Sequence, residues 1–159
     1  MTIQVNDAVP SATVKAIVGG EANEVNTSEF FASGKSVIFG LPGAFTPTCS
    51  QAHLPGFVVS ADDIKAKGVD RIVCMSVNDA FVMGAWGKSS NADALVMLAD
   101  GNCEFSKALG LDFDGSGFGM GQRCKRFAAI IDNGTVTHVF IEGPGEFEVS
   151  SAENVLKHL

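Results

Sequence analysis

The chain has 159 residues, of which 46% are hydrophobic and 18% charged, and its formal net charge is −7 at pH 7. This length predicts a single domain, residues 1–159, that buries a core without metal or disulfide support. The excess of acidic side chains argues against nucleic acid or an anionic membrane surface as a partner. No stretch approaches the roughly 20 apolar residues of a membrane span. Since the first 20 residues also lack the pattern of a secretory signal, we expect a cytoplasmic protein.

The first part of the chain predicts short strands and turns that end in one buried strand. Residues 12–18 are largely apolar and precede two glycines, which is typical of a strand and a turn. Thr27–Phe31 predicts a short helix. Ser36–Gly40 is almost wholly apolar, as expected of a strand that is buried on both faces of a sheet. This strand leads directly into residues 40–57, a stretch rich in turn-forming residues.

Residues 40–57 place a thiol where a helix begins. If Thr46 is the N-cap, Pro47 is the first helical residue and Cys49 the third. Unpaired N–H groups and the helix dipole favour an anion there, so a thiol at this position ionises more readily than a free one. Cys49 is therefore a candidate nucleophile, the alternative being a small buried apolar residue.

The rest of the chain alternates strands with helices and ends in a hairpin. The helix from Cys49 is predicted to run to Gly68, with a kink at Pro55 because proline removes one hydrogen bond. This alternation predicts parallel strands, and the hairpin around Asn133-Gly134 makes the sheet mixed. The glycine-rich residues 115–121 are expected to form a mobile loop. Further predicted elements are strands at 71–77, 95–99, 127–131 and 135–141, and helices at 80–88, 104–109 and 151–159.

Four further polar residues lie near Cys49 in sequence or just before the hairpin. His53 is four positions beyond Cys49, on the same helix face, and is either a base for the thiol or part of a structural hydrogen bond. Arg123, Lys125 and Arg126 form a cluster that is typical of a solvated surface. A guanidinium beside the thiol would instead stabilise a thiolate and an oxygen leaving group. Strand alternation allows only one side of this cluster to face Cys49.

The chain resembles a known family in these same residues. Pro42-x-x-x-Thr46-x-x-Cys49 resembles the active-site signature of the peroxiredoxins. The longer stretch from Gly40 to Ser50, with His53–Phe57, is similar to the type II (atypical two-cysteine, peroxiredoxin-5-like) branch with plant and bacterial members. Residues 76–83, 85–88, 123–127 and 150–153 extend the similarity over nearly the whole chain.

The resemblance implies an α/β, thioredoxin-like fold with a mixed central β-sheet flanked by helices. It also implies a thiol-dependent peroxidase that reduces hydrogen peroxide and organic hydroperoxides through a cysteine sulfenic acid, in antioxidant defence and redox homeostasis. No metal or organic cofactor is implied. Two alternatives remain open: a peroxide sensor or holdase chaperone that uses the same cysteine, and an inactive thioredoxin-like binding module.

The resemblance also assigns roles to individual residues. Cys49 is the peroxidatic residue, Arg126 holds the reacting oxygens, and Pro42 shields the pocket. Thr46 donates its hydroxyl to the peroxide and the thiolate, a role that competes with capping the helix. The remaining residues expected around the site are His53 and the apolar side chains of Phe45, Leu111, Phe113, Phe118 and Met120, which would accept alkyl groups.

Regeneration of Cys49 has two possible routes. Residues 149–152, where some type II members carry a resolving cysteine, contain no thiol. Cys74 matches the second cysteine of plant-like members, but it lies in a predicted buried strand. Either the first helix unwinds locally so that Cys74 can resolve the sulfenic acid, or glutathione, glutaredoxin or thioredoxin does so. Cys103 and Cys124 are expected to be structural, and the resemblance suggests a homodimer that pairs around the active site.

Overall fold

A computed structural model describes all of residues 1–159 and contains nine β-strands and five α-helices. In chain order these are β1 (Thr13–Val18), β2 (Glu21–Asn26), α1 (Thr27–Phe30), β3 (Lys35–Gly40), α2 (Leu54–Ala66), β4 (Arg71–Ser76), α3 (Ala80–Ser89), β5 (Val96–Ala99), α4 (Glu104–Leu109), β6 (Asp112–Asp114), β7 (Gln122–Cys124), β8 (Phe127–Asp132), β9 (Thr135–Ile141) and α5 (Ala152–Leu156). A π-helical turn, Cys49–His53, precedes α2. No helix is both long and apolar enough to cross a bilayer.

Seven strands form one mixed sheet in the order β2-β1-β5-β4-β3-β8-β9. The neighbours β3, β4 and β5 run parallel, as the strand–helix alternation predicts, whereas β8 pairs antiparallel with both β3 and β9. The mixed central sheet expected from the sequence is therefore confirmed. The carboxyl ends of β3 and β4 share one edge of the sheet, and the chain passes from β3 into the stretch that carries Cys49.

The two faces of the sheet bury two separate hydrophobic cores. Val37 and Phe39 of β3 point to the face covered by α2, α3 and α5, whereas Ile38 points to the face covered by α4. Each fully buried side chain of this kind contributes about 1.5–3 kcal/mol relative to an exposed one. Burial on both faces explains why the central strands are almost continuously apolar.

Gly40 is the last residue of β3, and there is no room for a side chain at this position. It pairs across the sheet with Phe127, and a Cβ atom on Gly40 would lie 2.2 Å from Cε1 of the Phe127 ring. That ring is itself buried. The glycine therefore lets β3 and β8 pair closely at the end of β3, where the active-site loop begins.

One sequence prediction about elements is wrong in detail and one is incomplete. The last helix begins after its N-cap Ser151, near the predicted start, but ends at Leu156 rather than at Leu159. Residues 115–121 form a loop, as predicted, which contains a 3₁₀ turn at Ser116–Phe118 and joins two short strands, β6 and β7, that the sequence did not predict. Strands of three residues are too short to show an alternating pattern, so the sequence carries little signal for them.

Candidate active site

Cys49 lies in a wide helical turn that follows β3. The helix begins at Pro47, as predicted, and continues as the π-helical turn Cys49–His53. The N–H of Leu54 donates to the carbonyl of Cys49, five residues earlier. The kink predicted at Pro55 takes another form: Pro55 lies in the first turn of α2, where its missing N–H costs no hydrogen bond of that helix, and the irregular turn precedes it. Single π-helical turns of this kind occur frequently at functional sites.

Thr46 is positioned at the helix start, but its hydroxyl does not cap the helix. The hydroxyl donates to the carbonyl of Gly43 at 2.6 Å, while the Thr46 carbonyl accepts from the N–H of Ser50 at 2.9 Å. The predicted capping hydrogen bond is therefore wrong, because the turn at residues 43–46 offers the hydroxyl a nearer acceptor. Thr46 also lines the cavity beside Cys49, so its hydroxyl must turn away from Gly43 to donate to a ligand there.

Arg126 is the basic residue that reaches Cys49. Its Nη2 donates to the buried Cys49 sulfur at 3.2 Å. Arg123 instead donates to the carbonyls of Met120 and Pro42, at 2.8 and 3.3 Å, and Lys125 is exposed at the cavity. The side chains of the cluster thus diverge, and one guanidinium is directed at the thiol.

His53 holds the other side of the same guanidinium. Nη1 of Arg126 lies 2.8 Å from Nδ1 of His53, and a guanidinium can only donate, so Nδ1 is the acceptor. Nε2 then carries the proton and donates to the carbonyl of Ser150 at 3.0 Å. Burial, and secondarily the charge of Arg126, lower the pKa of His53 to about 3 against the opposing effect of the Ser150 hydrogen bond. The imidazole is therefore neutral near pH 7.

The geometry of His53 excludes the role of a general base for Cys49. Its acceptor nitrogen is occupied by Arg126, and no hydrogen bond joins it to the thiol. The hydrolase-type interpretation of these two residues is therefore wrong. The alternative interpretation, a structural hydrogen bond, describes the contacts, and His53 acts on the site by orienting Arg126.

A cavity of about 580 Å³ opens beside these residues. Pro42, Thr46 and Arg126 contribute to its wall, together with the apolar side chains of Phe113, Phe118 and Met120. Two apolar residues expected to line it do not. Leu111 is fully buried in the core, and Phe45 projects into solvent, with its ring centre 6.4 Å from that of Trp86.

The other three cysteines are buried and unpaired. Cys74, in β4, belongs to the same core as Cys49, whereas Cys103 and Cys124 lie in the core on the opposite face of the sheet. Burial, and then the proximity of Cys49, raise the pKa of Cys74 well above its usual range. Cys74 is thus a weak nucleophile in this conformation. No group of three or more His, Cys, Asp or Glu side chains is arranged to hold a metal ion.

Sequence reasoning missed the segment 142–150, which covers the guanidinium. The Phe147 ring lies 5.7 Å from Cζ of Arg126, and the Ser150 carbonyl fixes His53. Buried Glu142 begins the segment. These contacts join residues far apart in the chain, so no local spacing or motif predicts them.

A family model described as Redoxin matches residues 4–156 of the chain. Peroxiredoxin-2D of Arabidopsis thaliana is 47% identical over 159 residues, which are 99% of this chain and 98% of that protein.

Two solved structures from Vibrio vulnificus match the fold over its whole length. Reduced Prx3 in complex with H₂O₂ is 51% identical with a TM-score of 0.94 and covers 99% of both chains. Oxidized Prx3 is 52% identical with a TM-score of 0.90, over 99% of this chain and 100% of that one. The predicted thioredoxin-like α/β fold is thereby confirmed.

Proposed function

The chain belongs to the peroxiredoxins of the Redoxin family and is a thiol-dependent peroxidase with an antioxidant function, and from this premise we propose that Cys49 is its peroxidatic residue. The observation that carries the assignment is a pair of hydrogen bonds from Arg126. Its guanidinium donates to the Cys49 sulfur and, through its other terminal nitrogen, to neutral, buried His53. The proposed substrates are hydrogen peroxide and organic hydroperoxides.

The proposed reaction is a displacement at oxygen. The Cys49 thiolate attacks the terminal oxygen of ROOH, an S–O bond forms and the O–O bond breaks. The released RO⁻ takes a proton and leaves as ROH, and Cys49 remains as a sulfenic acid. Negative charge moves from sulfur to the leaving oxygen, so a donor placed at both atoms stabilises the transition state more than the ground state.

The surrounding residues fit this displacement. Arg126 lies at the sulfur and also lines the cavity, where the peroxide oxygens would lie. Thr46 would donate to the peroxide after its hydroxyl turns from Gly43, and Pro42 would exclude water at the cavity wall. The apolar side of the cavity, with Phe113, Phe118 and Met120, is suited to the alkyl part of an organic hydroperoxide.

We infer that an external thiol regenerates the enzyme. A donor thiol attacks the sulfenic sulfur, water leaves, and a mixed disulfide forms. A second thiol then releases Cys49 as a thiol and the donor as a disulfide. The burial and raised pKa of Cys74 support this route over a Cys49–Cys74 disulfide. Glutathione, glutaredoxin and thioredoxin are the proposed donors.

Mass spectrometry after peroxide treatment distinguishes the routes. We expect a sulfenic acid in the isolated protein and a mixed disulfide once glutathione is added. An intramolecular Cys49–Cys74 disulfide would contradict the proposal. Catalytic turnover with a donor separates a peroxidase from a sensor or holdase, which would be oxidised without turning over. The cytoplasmic location remains part of the proposal and is tested by cell fractionation.

Substitution of Arg126 tests the site assignment. We expect Arg126→Ala to lower the second-order rate constant for peroxide about 100-fold or more, as for the loss of an oxyanion donor. Arg126→Lys should also be slow, because an ammonium cannot contact His53 and the sulfur in the same fork geometry. Rates are measured by stopped flow, and thermal unfolding serves as the control for folding. An unchanged rate constant in Arg126→Ala would refute the assignment.

A further inference from the structure

Glu142 is a buried carboxylate that organises the segment covering the active site. One oxygen of its side chain, Oε2, accepts three hydrogen bonds: from the N–H of Glu148 at 2.7 Å, from the N–H of Ser150 at 2.8 Å and from the Ser150 hydroxyl at 2.7 Å. The backbone N–H of Glu142 donates to the carbonyl of Arg126 at 3.0 Å. The Glu142 side chain thus closes the loop of residues 142–150, and the Glu142 backbone ties the base of that loop to Arg126.

A continuous chain of hydrogen bonds connects the closed loop to the residues around Cys49. Ser150, whose N–H and hydroxyl are held by Glu142, presents its carbonyl to Nε2 of His53 at 3.0 Å. His53 accepts from Arg126 at 2.8 Å, and Arg126 donates to Cys49 at 3.2 Å. Phe147 packs against both links, with its ring centre 4.9 Å from the His53 ring.

The charge of Glu142 strengthens this arrangement. Burial alone would raise the pKa of the carboxyl, but the hydrogen bonds from Ser150, Glu148 and Val149 outweigh it and hold the pKa below its usual value. Hydrogen bonds to an ionised acceptor are roughly twice as strong as those between neutral groups. The loop is therefore held more firmly than a neutral side chain would hold it.

We propose that Glu142 is a positioning residue for peroxide reduction, which acts through Ser150 and His53 to hold the Arg126 guanidinium against Cys49. The inference rests on the proposed role of Arg126. When Glu142 is removed, Ser150 loses two of its fixed contacts and the His53 ring loses a fixed acceptor. The guanidinium then samples orientations in which Nη2 no longer faces the sulfur. Misplacement of a reacting group by about 1 Å costs roughly 100-fold in rate.

The first test compares Glu142→Gln and Glu142→Ala with the control Glu153→Gln. Glu153 is exposed on α5, so its replacement removes the same charge outside the network. We expect peroxide reduction to slow about 10-fold in Glu142→Gln and up to about 100-fold in Glu142→Ala, with the control unchanged. A loss of folded protein would lower the amplitude of peroxide consumption without changing the rate constant of the protein that remains folded.

The second test is a double-mutant cycle with His53→Ala. If Glu142 acts through His53, the two losses are strongly non-additive, and Glu142→Gln has little effect once His53 is absent. Additive losses, or a wild-type rate constant in Glu142→Gln, would overturn the proposal. The glutamine variant has nearly the shape of glutamate and completes the cycle if Glu142→Ala does not fold. Arg126→Ala separates the two claims, since a slow Arg126→Ala with a fast Glu142→Gln refutes only this inference.

Discussion

At the residue scale, His53 acts on the site through its two ring nitrogens, both of which form hydrogen bonds. A histidine four positions after a cysteine is compatible with a base–nucleophile pair. In the structure its acceptor nitrogen is occupied by a guanidinium and its donor nitrogen by a carbonyl. A neutral imidazole in this position can carry no proton away from the thiol. Its contribution is the direction of the Arg126 side chain.

The burial of neutral His53 predicts a loss of stability in acid. The unfolded chain takes up the proton near pH 6.5, whereas the folded protein resists it until its pKa of about 3. Protons therefore bind preferentially to the unfolded state between these values, and the free energy of unfolding falls as the pH is lowered through that window. When the unfolded state binds one proton more than the folded state, the free energy of unfolding falls by about 1.4 kcal/mol for each pH unit. The lowered pKa of Glu142 acts in the same direction at more acidic pH.

Urea unfolding at several pH values between about 7 and about 4 measures this slope. In His53→Gln the free energy of unfolding should depend less steeply on pH, by the equivalent of up to one proton, because glutamine does not titrate. His138 and His158 are present in both proteins, so their contributions cancel in the comparison. Identical slopes would contradict the assignment of a neutral, buried His53.

The site residues divide into those a local pattern could find and those it could not. Cys49, Thr46 and Pro42 lie in one contiguous motif, and Arg126 lies in a basic cluster whose resemblance to a known pattern singled it out. Pro42, Thr46 and Arg126 line one cavity, and Arg126 donates to the buried Cys49 sulfur. Glu142, by contrast, hydrogen-bonds to Glu148 and Ser150, and only the Ser150–His53 contact, 97 positions apart in the chain, links it to the site. A glutamate gives no sign of burial until the fold brings donors to it.

At the scale of elements, the strand that enters the active-site loop depends on Gly40. We expect Gly40→Ala to lower the free energy of unfolding by about 1–3 kcal/mol, because the new methyl group would overlap the buried ring of Phe127. Gly117→Ala is the matched control, since its Cβ would have no neighbour within 4 Å. Urea denaturation compares the two variants. Equal stabilities would show that β8 shifts freely and that the close pairing is unimportant.

Most helices and strands follow from local signals. Asp79 accepts from the N–H of Val82 at the start of α3, as its position before an apolar helix predicts, and α4 has its predicted limits. The Asn133-Gly134 turn joins β8 to β9 as expected. The π-helical turn did not follow from the sequence, because one turn with a five-residue hydrogen bond has almost the same side-chain pattern as an α-helical turn. The β6–β7 hairpin is too short for periodicity to detect.

At the scale of the whole molecule, the homodimer that the family resemblance implies would cover exposed aromatic side chains near the site. Phe118 is 81% exposed and Phe45 58% exposed, the latter with a positive φ of 64°. Large apolar side chains in solvent beside a functional cavity are typical of an interaction surface. We therefore predict a species of twice the 16.6 kDa chain mass at micromolar concentration.

Sedimentation velocity measures this assembly, and Phe118→Ser should weaken it. Val59→Ser provides the control, because Val59 is 83% exposed on α2, does not line the cavity, and its substitution also removes exposed apolar surface, although less than that of a phenylalanine. A monomer at all concentrations, or equal weakening by both substitutions, would contradict dimerisation through the face around the site.

The whole account depends on Cys49 as the residue that reduces peroxide. The most direct measurement mixes the fully reduced protein with an equimolar amount of hydrogen peroxide and follows peroxide loss and protein oxidation together by stopped flow and mass spectrometry. We predict rapid, stoichiometric consumption with oxidation at Cys49, retained in Cys74→Ser, Cys103→Ser and Cys124→Ser and absent in Cys49→Ser. Rapid consumption that persists in Cys49→Ser would contradict the account.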